Sequence, residues 1–383
     1  MISKKKAVVW GVVLILISSI VTMNMELAFG DKVLVSKEAF NEYKKYNKLY
    51  SLEKVIDDNY YTDVDEGNLV DGSIKGLFEG LNDPYSQYMN KKEFERFMEN
   101  TEGSFSGIGV IITPGEDGYI TVVSPIEDSP GFKAGIKSED KIIKVNGEDV
   151  TAKEMDKAIS MMKGKAGTEV EITILRNGKE TINMKIKREE IRLKTVKSQI
   201  LEDNIGYIRI TQFDEKTADE FKTHLNQLQD KDIKGLIIDL RDNPGGLLDK
   251  CQEITDKLIG EGTIVYTKDR NGKTKYYNSD KNKIDVPLAV LVNKGSASAS
   301  EILSGAVRDN KAGTLIGTTT FGKGLVQTVR SLNDGSGFKL TVSQYFTPNG
   351  EYIHGKGITP DIVVEDVDKQ LPTAIDYIKK QIK

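Results

Sequence analysis

The spacing of apolar residues changes character three times along the chain. Residues 35–100 carry apolar and aromatic positions at helical intervals. They fall in SKEAFNEYKKYNKLYSLEKVIDDNYY, in DEGNLVDGSIKGLFEGL, which ends at the stop signal Asn82-Asp83-Pro84, and in NKKEFERFMENT. Residues 101–188 instead show short β-branched runs cut by Gly, Pro, Asn and Asp turns, and one helical stretch, AKEMDKAISMMKG. Two alternating strands, TEVEITILRNG and KETINMKIKR, meet at Asn177-Gly178, a hairpin signal. From residue 189 the apolar runs IGYIRI, KGLIIDLR, PLAVLVN and GTLIGT alternate with the helical segments ADEFKTHLNQLQD, GLLDKCQEITDKLIG and ASEILSGAVRDN. That alternation predicts an α/β layer on a largely parallel sheet. Strand-like KLTVSQYFTPNG and a last helix, QLPTAIDYIKKQIK, follow.

The N-terminus reads differently. Lys4, Lys5 and Lys6 precede an uncharged apolar stretch from Ala7 to Met23. Positive charge before an apolar run is an export signal, and this run is about the shortest that spans a bilayer. An uncleaved single-pass anchor is expected, with the rest of the chain outside the cytoplasm. Cleavage near Ala28 and Gly30 would make the chain secreted instead.

Composition narrows the function. The 383 residues exceed one compact core, so a multidomain chain is expected. The boundaries are drawn at 1–30 (membrane segment), 31–96 (helical region), 97–188 (small β domain) and 189–383 (α/β block). The formal net charge of -4 gives no footprint for nucleic acid. Cys251 is alone, so there is no internal disulfide and no multi-thiolate zinc site, and it reads as a small buried apolar residue. The two histidines, His224 and His354, form no HExxH pattern. No metal and no cofactor are expected.

Three segments can carry chemistry. In Asn293–Glu301, NKGSASASE, an apolar strand ends at a turn of small residues before a helix, where a serine would lie near helix N-terminal amides. In Gly322-Lys323-Gly324 a lysine sits between two flexible residues; desolvated, it would lose its charge easily and act as a base. The turn Leu240–Gly246, LRDNPGG, can expose backbone N–H groups. Each alone reads as an ordinary cap or turn. Together they supply a nucleophile, a base and oxyanion donors, the role set for acyl transfer.

From about Asn59 to Asp361 the chain resembles the C-terminal processing peptidases, or tail-specific proteases. The segments that carry the likeness are NDPYSQYM, FSGIGV, SPGFKAGIKSEDKIIKVNG, IDLRDNPGGLLD, GSASASEI, TFGKGLVQ and GITPDI. Twenty-five positions separate Ser298 from Lys323, and four separate Lys323 from Gln327, which fits the family. The resemblance implies a crotonase/Clp protease-like α/β core with an inserted β-rich PDZ domain and N-terminal helices. It implies Ser298 as nucleophile, Lys323 as general base and Gln327 as the residue orienting the lysine. The backbone N–H of Ala299 and of the Gly245-Gly246 turn would form the oxyanion hole, with the donating glycine left open. Phe105, Ser106, Gly107, Ile108, Gly109 and Val110 resemble a PDZ carboxylate-binding loop. The implied partners are proteins with accessible apolar C-termini and, through the N-terminal helices, a second copy of the chain. Where relatives often carry arginine, this chain has Lys163, which cannot make arginine's planar bidentate contact. Two rivals stand beside this reading: a membrane-tethered PDZ scaffold with an inert core, and a Ser–His–Asp hydrolase using His354.

Overall fold

The computed structural model describes residues 3, 6, 9–15, 28, 29, 32, 33 and 35–382. Lys4, Lys5, most of the stretch from Ala7 to Met23, and Gly30 lie outside the described residues. Among the described residues no helix is long and apolar enough to cross a membrane. The chain divides into two compact units, Met1–Leu77 and Phe78–Lys383.

The first unit contains α1 (Lys37–Asn59), capped by Ser36, whose hydroxyl accepts from the Ala39 N–H at 3.1 Å. Its aromatic and aliphatic residues, among them Phe40, Tyr43, Leu49 and Tyr50, are exposed. The helix α2 (Glu66–Glu79) follows.

The second unit opens with β1 (Gln87–Met89) and α3 (Lys91–Glu102). Asn90 and Glu93 form a reciprocal capping box at the start of α3, and Gly103 ends it in the left-handed region. The strand β2 (Ser104–Gly107) leads into a small antiparallel sheet made of β3 (Val110–Pro114), β4 (Ile120–Pro125), β5 (Lys141–Val145), β6 (Glu169–Arg176) and β7 (Glu180–Lys187), in spatial order β7-β6-β5-β4-β3. Asn177 and Gly178 both have positive φ and turn β6 tightly into β7. The helix α4 (Met155–Met162) closes this domain's core, where Ile120, Ile142, Ile172 and Ile174 are fully buried. The chain leaves through β8 (Glu189–Arg192), which pairs back on β2.

The α/β block is built on β9 (Val196–Ile200), β10 (Ile205–Ile210), β11 (Gly235–Asp239), β14 (Leu288–Val292), β15 (Thr314–Gly317) and β18 (Ile362–Val363), lying side by side in that order. All neighbours are parallel except β9 and β10. Every residue of β11 and β14 is buried, as expected of strands covered on both faces. The period-2 alternation sorts them. Leu236, Ile238, Val290 and Val292 pack with α5 (Thr217–Gln229), α6 (Leu248–Asp256) and α7 (Ala299–Asp309). Ile237, Ala289 and Leu291 pack under α8 (Val367–Gln381). An antiparallel sheet of β12 (Gly262–Asp269), β13 (Thr274–Ser279), β16 (Leu325–Ser331) and β17 (Gly337–Phe346) lies beside this layer, in the order β13-β12-β17-β16, and β1 pairs with β17. The loops after β11, β14 and β15 all leave the same, carboxyl edge of the parallel sheet, the usual place for a site in an open α/β fold.

Candidate active site

Two of those loops are laced together by buried polar side chains. Asn243 is fully buried; its amide nitrogen donates to the Ile210 carbonyl at 2.9 Å and its amide oxygen accepts from Gly245 N at 2.9 Å. Its backbone carbonyl accepts from Ala297 N at 3.0 Å and from the Ser300 hydroxyl at 2.9 Å. The Ser296 hydroxyl donates to the Leu240 carbonyl at 2.8 Å, and the Asn293 and Asp242 side chains join at 2.9 Å. The LRDNPGG turn and the GSASAS turn are therefore one structure. Behind it, the buried Asp239 accepts from Arg241 Nη2 at 2.6 Å and from the Tyr207 phenol at 2.7 Å. Burial, and then the charge of Asp239, push the Tyr207 phenol up to about 12.

Ser298 sits at the junction of turn and α7 with φ 56° and ψ -112°. A non-glycine residue in this region carries strain, of order 1–3 kcal/mol, and persists only where its surroundings over-determine it. Gly245 explains the space in front of it. A Cβ there would lie 2.8 Å from Ser298 Cβ and 2.9 Å from Ala299 N, closing the approach to both. Gly246 is forced from behind, since a Cβ would meet the Phe213 carbonyl oxygen at 2.0 Å. A cavity of about 300 Å³ opens here, lined by Ser298 with Phe213, Gly245, Gly246, Ala299, Gln327 and Lys339. The two glycines differ in one respect. The Gly245 N–H is spent on Asn243, whereas among the described residues the N–H groups of Gly246 and Ala299 have no acceptor. Beneath the first turn of α7, the Cys251 thiol donates to the Ala299 carbonyl at 3.0 Å, and burial pushes that thiol up to about 12.

The third loop is tied to the first two by Glu301. This fully buried carboxylate accepts from Ser298 N at 2.9 Å and from Lys323 N at 2.8 Å on one oxygen. Its other oxygen accepts from Gly322 N at 2.7 Å and from the Thr320 hydroxyl at 2.6 Å. In the sequence Glu301 is only the last residue of the NKGSASASE segment, and nothing local marks its tie to the third loop.

The expected partners of Ser298 are not all brought to it. Lys323 Nζ makes no hydrogen bond among the described residues and lies 4.8 Å from the centroid of the Tyr85 ring. Burial pulls its pKa below the usual lysine value, helped by the charge of Lys339 and opposed by Asp83 and Glu301. Gln327 lines the cavity, but its amide nitrogen donates to the Thr341 hydroxyl at 3.3 Å rather than to the lysine. Lys339, which the sequence did not single out, has a pKa lowered by burial and lies 5.7 Å from the Phe97 ring centroid. His354 faces Tyr85 and Tyr352, and His224 Nδ1 and the Ser198 hydroxyl share a hydrogen bond at 2.7 Å; among the described residues neither histidine bonds to Ser298.

The FSGIGV segment stands apart from this cavity. Phe105, Gly107, Ile108, Gly109 and Val110 line a smaller pocket of about 150 Å³ together with residues of the α4 end. Ser106 lies on β2 beside them. Among the described residues the N–H groups of Ile108 and Gly109 have no acceptor. Gly109 has φ 72°, and its carbonyl takes the Ser129 hydroxyl at 2.9 Å. Lys163 at the α4 end pairs with Glu99 of α3, and its Nζ lies 5.3 Å from the Phe105 ring centroid.

A strained serine on a strand–helix turn, facing unpaired amides at the carboxyl edge of a parallel sheet, with a small antiparallel β domain inserted upstream, has the form of a serine-type protease carrying a PDZ domain. Comparison with known proteins agrees. Residues 204–364 match the model of peptidase family S41, residues 121–176 a PDZ domain, and residues 19–93 the N-terminal domain of the activating protease CtpB. The chain is 41% identical over 356 residues to the carboxy-terminal processing protease CtpA of Bacillus subtilis, covering 92% of this chain and 76% of that one. It is 40% identical over 331 residues to CtpB of the same organism, covering 85% and 69%. The solved photosystem II D1 C-terminal processing protease superposes with a TM-score of 0.51 at 29% identity, over 85% of this chain and 86% of that one. The chain belongs to peptidase family S41, among the carboxy-terminal processing proteases, and is a serine-type protease.

Replacement of Glu301 tests the tie between the loops. Glu301→Gln leaves one oxygen and turns an –NH₂ group toward donors. Two of the four bonds are lost and donors face donors, which removes on the order of 3 kcal/mol. Urea unfolding should report that loss, and proteolytic rates should fall at least tenfold while the far-UV circular dichroism of the folded chain persists. Wild-type stability and rate together would remove Glu301 from this role.

Proposed function

We propose that this chain is an extracytoplasmic endopeptidase that captures apolar C-terminal tails on its PDZ domain and cleaves by a Ser298–Lys323 acyl-enzyme mechanism. One observation carries the reading: Ser298 N and Lys323 N share a single oxygen of Glu301, so nucleophile and lysine start from adjacent backbone points. From there a flexible four-carbon side chain can turn from Tyr85 toward the serine, and catalytic hydrogen bonds commonly tighten only once substrate is bound. In that pose neutral Lys323 takes the Ser298 proton as Oγ attacks the scissile carbonyl. The resulting oxyanion is received by the N–H groups of Ala299 and Gly246, rather than Gly245, whose N–H is already used. The C–N bond then breaks as the lysine returns the proton to the leaving amine, and water repeats the cycle on the ester. Gln327, at the cavity wall, would orient the lysine in that pose.

The same reading treats 97–188 as the PDZ module and 189–383 as a crotonase/Clp-related peptidase core, supported by the separate sheets and the parallel strand order. The unpaired N–H groups of Ile108 and Gly109 would hold a substrate carboxylate, and its chain would add a strand beside them. The exposed apolar residues of α1 support self-association of the 31–96 region into a homodimer. Lys4–Lys6 and Ala7–Met23 support a membrane anchor, or secretion if the segment is removed.

Three measurements check this. Lys323→Ala lacks a base, and Lys323→Arg keeps a charge that cannot leave at working pH. Both should lose cleavage of an unstructured protein by at least 100-fold, with folding intact by circular dichroism, while His354→Ala and His224→Ala stay within about threefold of wild type. A near wild-type Lys323→Arg would end the dyad reading. For recognition, an apolar peptide should bind at least tenfold more weakly when its C-terminus is amidated, and equal affinities would count against carboxylate capture. For location, the catalytic block should be open to added protease on intact cells or appear in the medium; full-length protein confined to the cytosol would overturn export.

A further inference from the structure

The segment NDPYSQYM brings an aromatic ring, Tyr85, to the lysine. Asp83 organises it: its carboxylate accepts from Tyr85 N at 3.0 Å and from the Ser86 hydroxyl at 2.6 Å. The Ser86 hydroxyl in turn accepts from Thr341 N at 2.9 Å, and β1, immediately after, pairs Gln87 with Lys339 on β17. Tyr85 is thus held from both sides. Its ring lies at 71° to the His354 ring, centroids 6.3 Å apart, and its face is under Lys323 Nζ at 4.8 Å. That separation is well inside the range of a cation–π contact. The phenol itself makes no hydrogen bond among the described residues, so the ring face is what the fold presents. The base loop is also pressed onto this cluster, because a Cβ at Gly324 would lie 2.9 Å from His354 N.

We propose that Tyr85 is a positioning residue for Lys323, whose ring face holds the charged ammonium until the lysine gives up its proton and turns to the serine. This rests on the reading of Lys323 as the base. A ring face attracts the ammonium and not the neutral amine, so it works against the burial that favours the neutral form. The other charged or titratable groups facing Lys323 are Asp83 on the same turn, Glu301 of α7, Lys339 of β17 and, across the ring, His354. Asp83 and Glu301 act in the same direction as the ring, and Lys339 against it. The sign follows: removing the ring lowers the pKa of Lys323 in the free enzyme, and the rising limb of kcat/KM against pH moves to lower pH.

The test is the pH profile of kcat/KM for the full chain on an unstructured protein substrate. Tyr85→Phe keeps the wild-type limb, since the ring is retained. Tyr85→Leu moves the limb down by about 0.5 to 1 pH unit. Phenylalanine carrying one, two or three ring fluorines at position 85 weakens the ring face without changing its shape, and should move the limb progressively, even if the leucine variant fails to fold. If the limb stays in place across the fluorinated series while Lys323→Ala is inactive, the role of Tyr85 is overturned and the dyad stands. If Lys323→Ala still cleaves, both fall.

Discussion

The carboxylate of Glu301 lies at the centre of the catalytic edge, with two donors on each oxygen and no water-facing surface. An unpaired charge so placed would be costly, and its four hydrogen bonds are what make the burial tolerable. Its position in the first turn of α7 adds the favourable field of a helix N-terminus. The geometry of everything around it follows from that anchorage. Ser298 keeps a backbone conformation that an L residue avoids, because its N–H is held to Glu301 while its carbonyl takes the Tyr345 phenol at 3.1 Å. The lysine loop, which begins at the end of β15, is drawn toward the serine turn, which begins at the end of β14, although no regular hydrogen-bond ladder joins the two loops.

Electrostatically the site is a contest around desolvated cations. Lys323 and Lys339 are both partly withdrawn from solvent, each has a depressed pKa, and each lies against an aromatic ring, Tyr85 and Phe97 respectively. Asp83 and Glu301 pull the other way. A lysine balanced in this manner can change charge with small movements, which a proton acceptor requires and an ordinary surface lysine lacks. A third lysine, Lys163, joins the end of α4 to Glu99 of α3, so the pocket at the FSGIGV segment and the helix bordering the Ser298 cavity share a charged contact.

Much of this architecture was readable in the chain. The buried runs GLIID and LAVLV, the Asn177-Gly178 hairpin and the small-residue turns at 240–246 and 293–298 are local signals, and the structure uses them locally. The residues that went unread act across long separations. Asn243 and Ser300 look like ordinary turn and helix-start residues until the fold sets them together, and Glu301 resembles a cap. Tyr85 and Lys339 are one aromatic and one cation among many, and only the pairing of β1 with β17 brings them to the site. Which of Gly245 and Gly246 has a spare N–H could not be read at all, since it turns on where the Asn243 side chain points.

The floor under Ser298 has a chemical consequence of its own. The lone thiol, Cys251, is sealed beneath α7 and bonded to the carbonyl of the residue after Ser298. A thiol must form its anion and meet a partner to be oxidised, and burial blocks both steps. In oxidising surroundings the folded chain therefore cannot be cross-linked through sulfur to another protein or capped by a small disulfide. Any thiol reactivity that does emerge would mark chains in which the start of α7 has lifted from the sheet, which are the chains whose peptidase machinery has come apart.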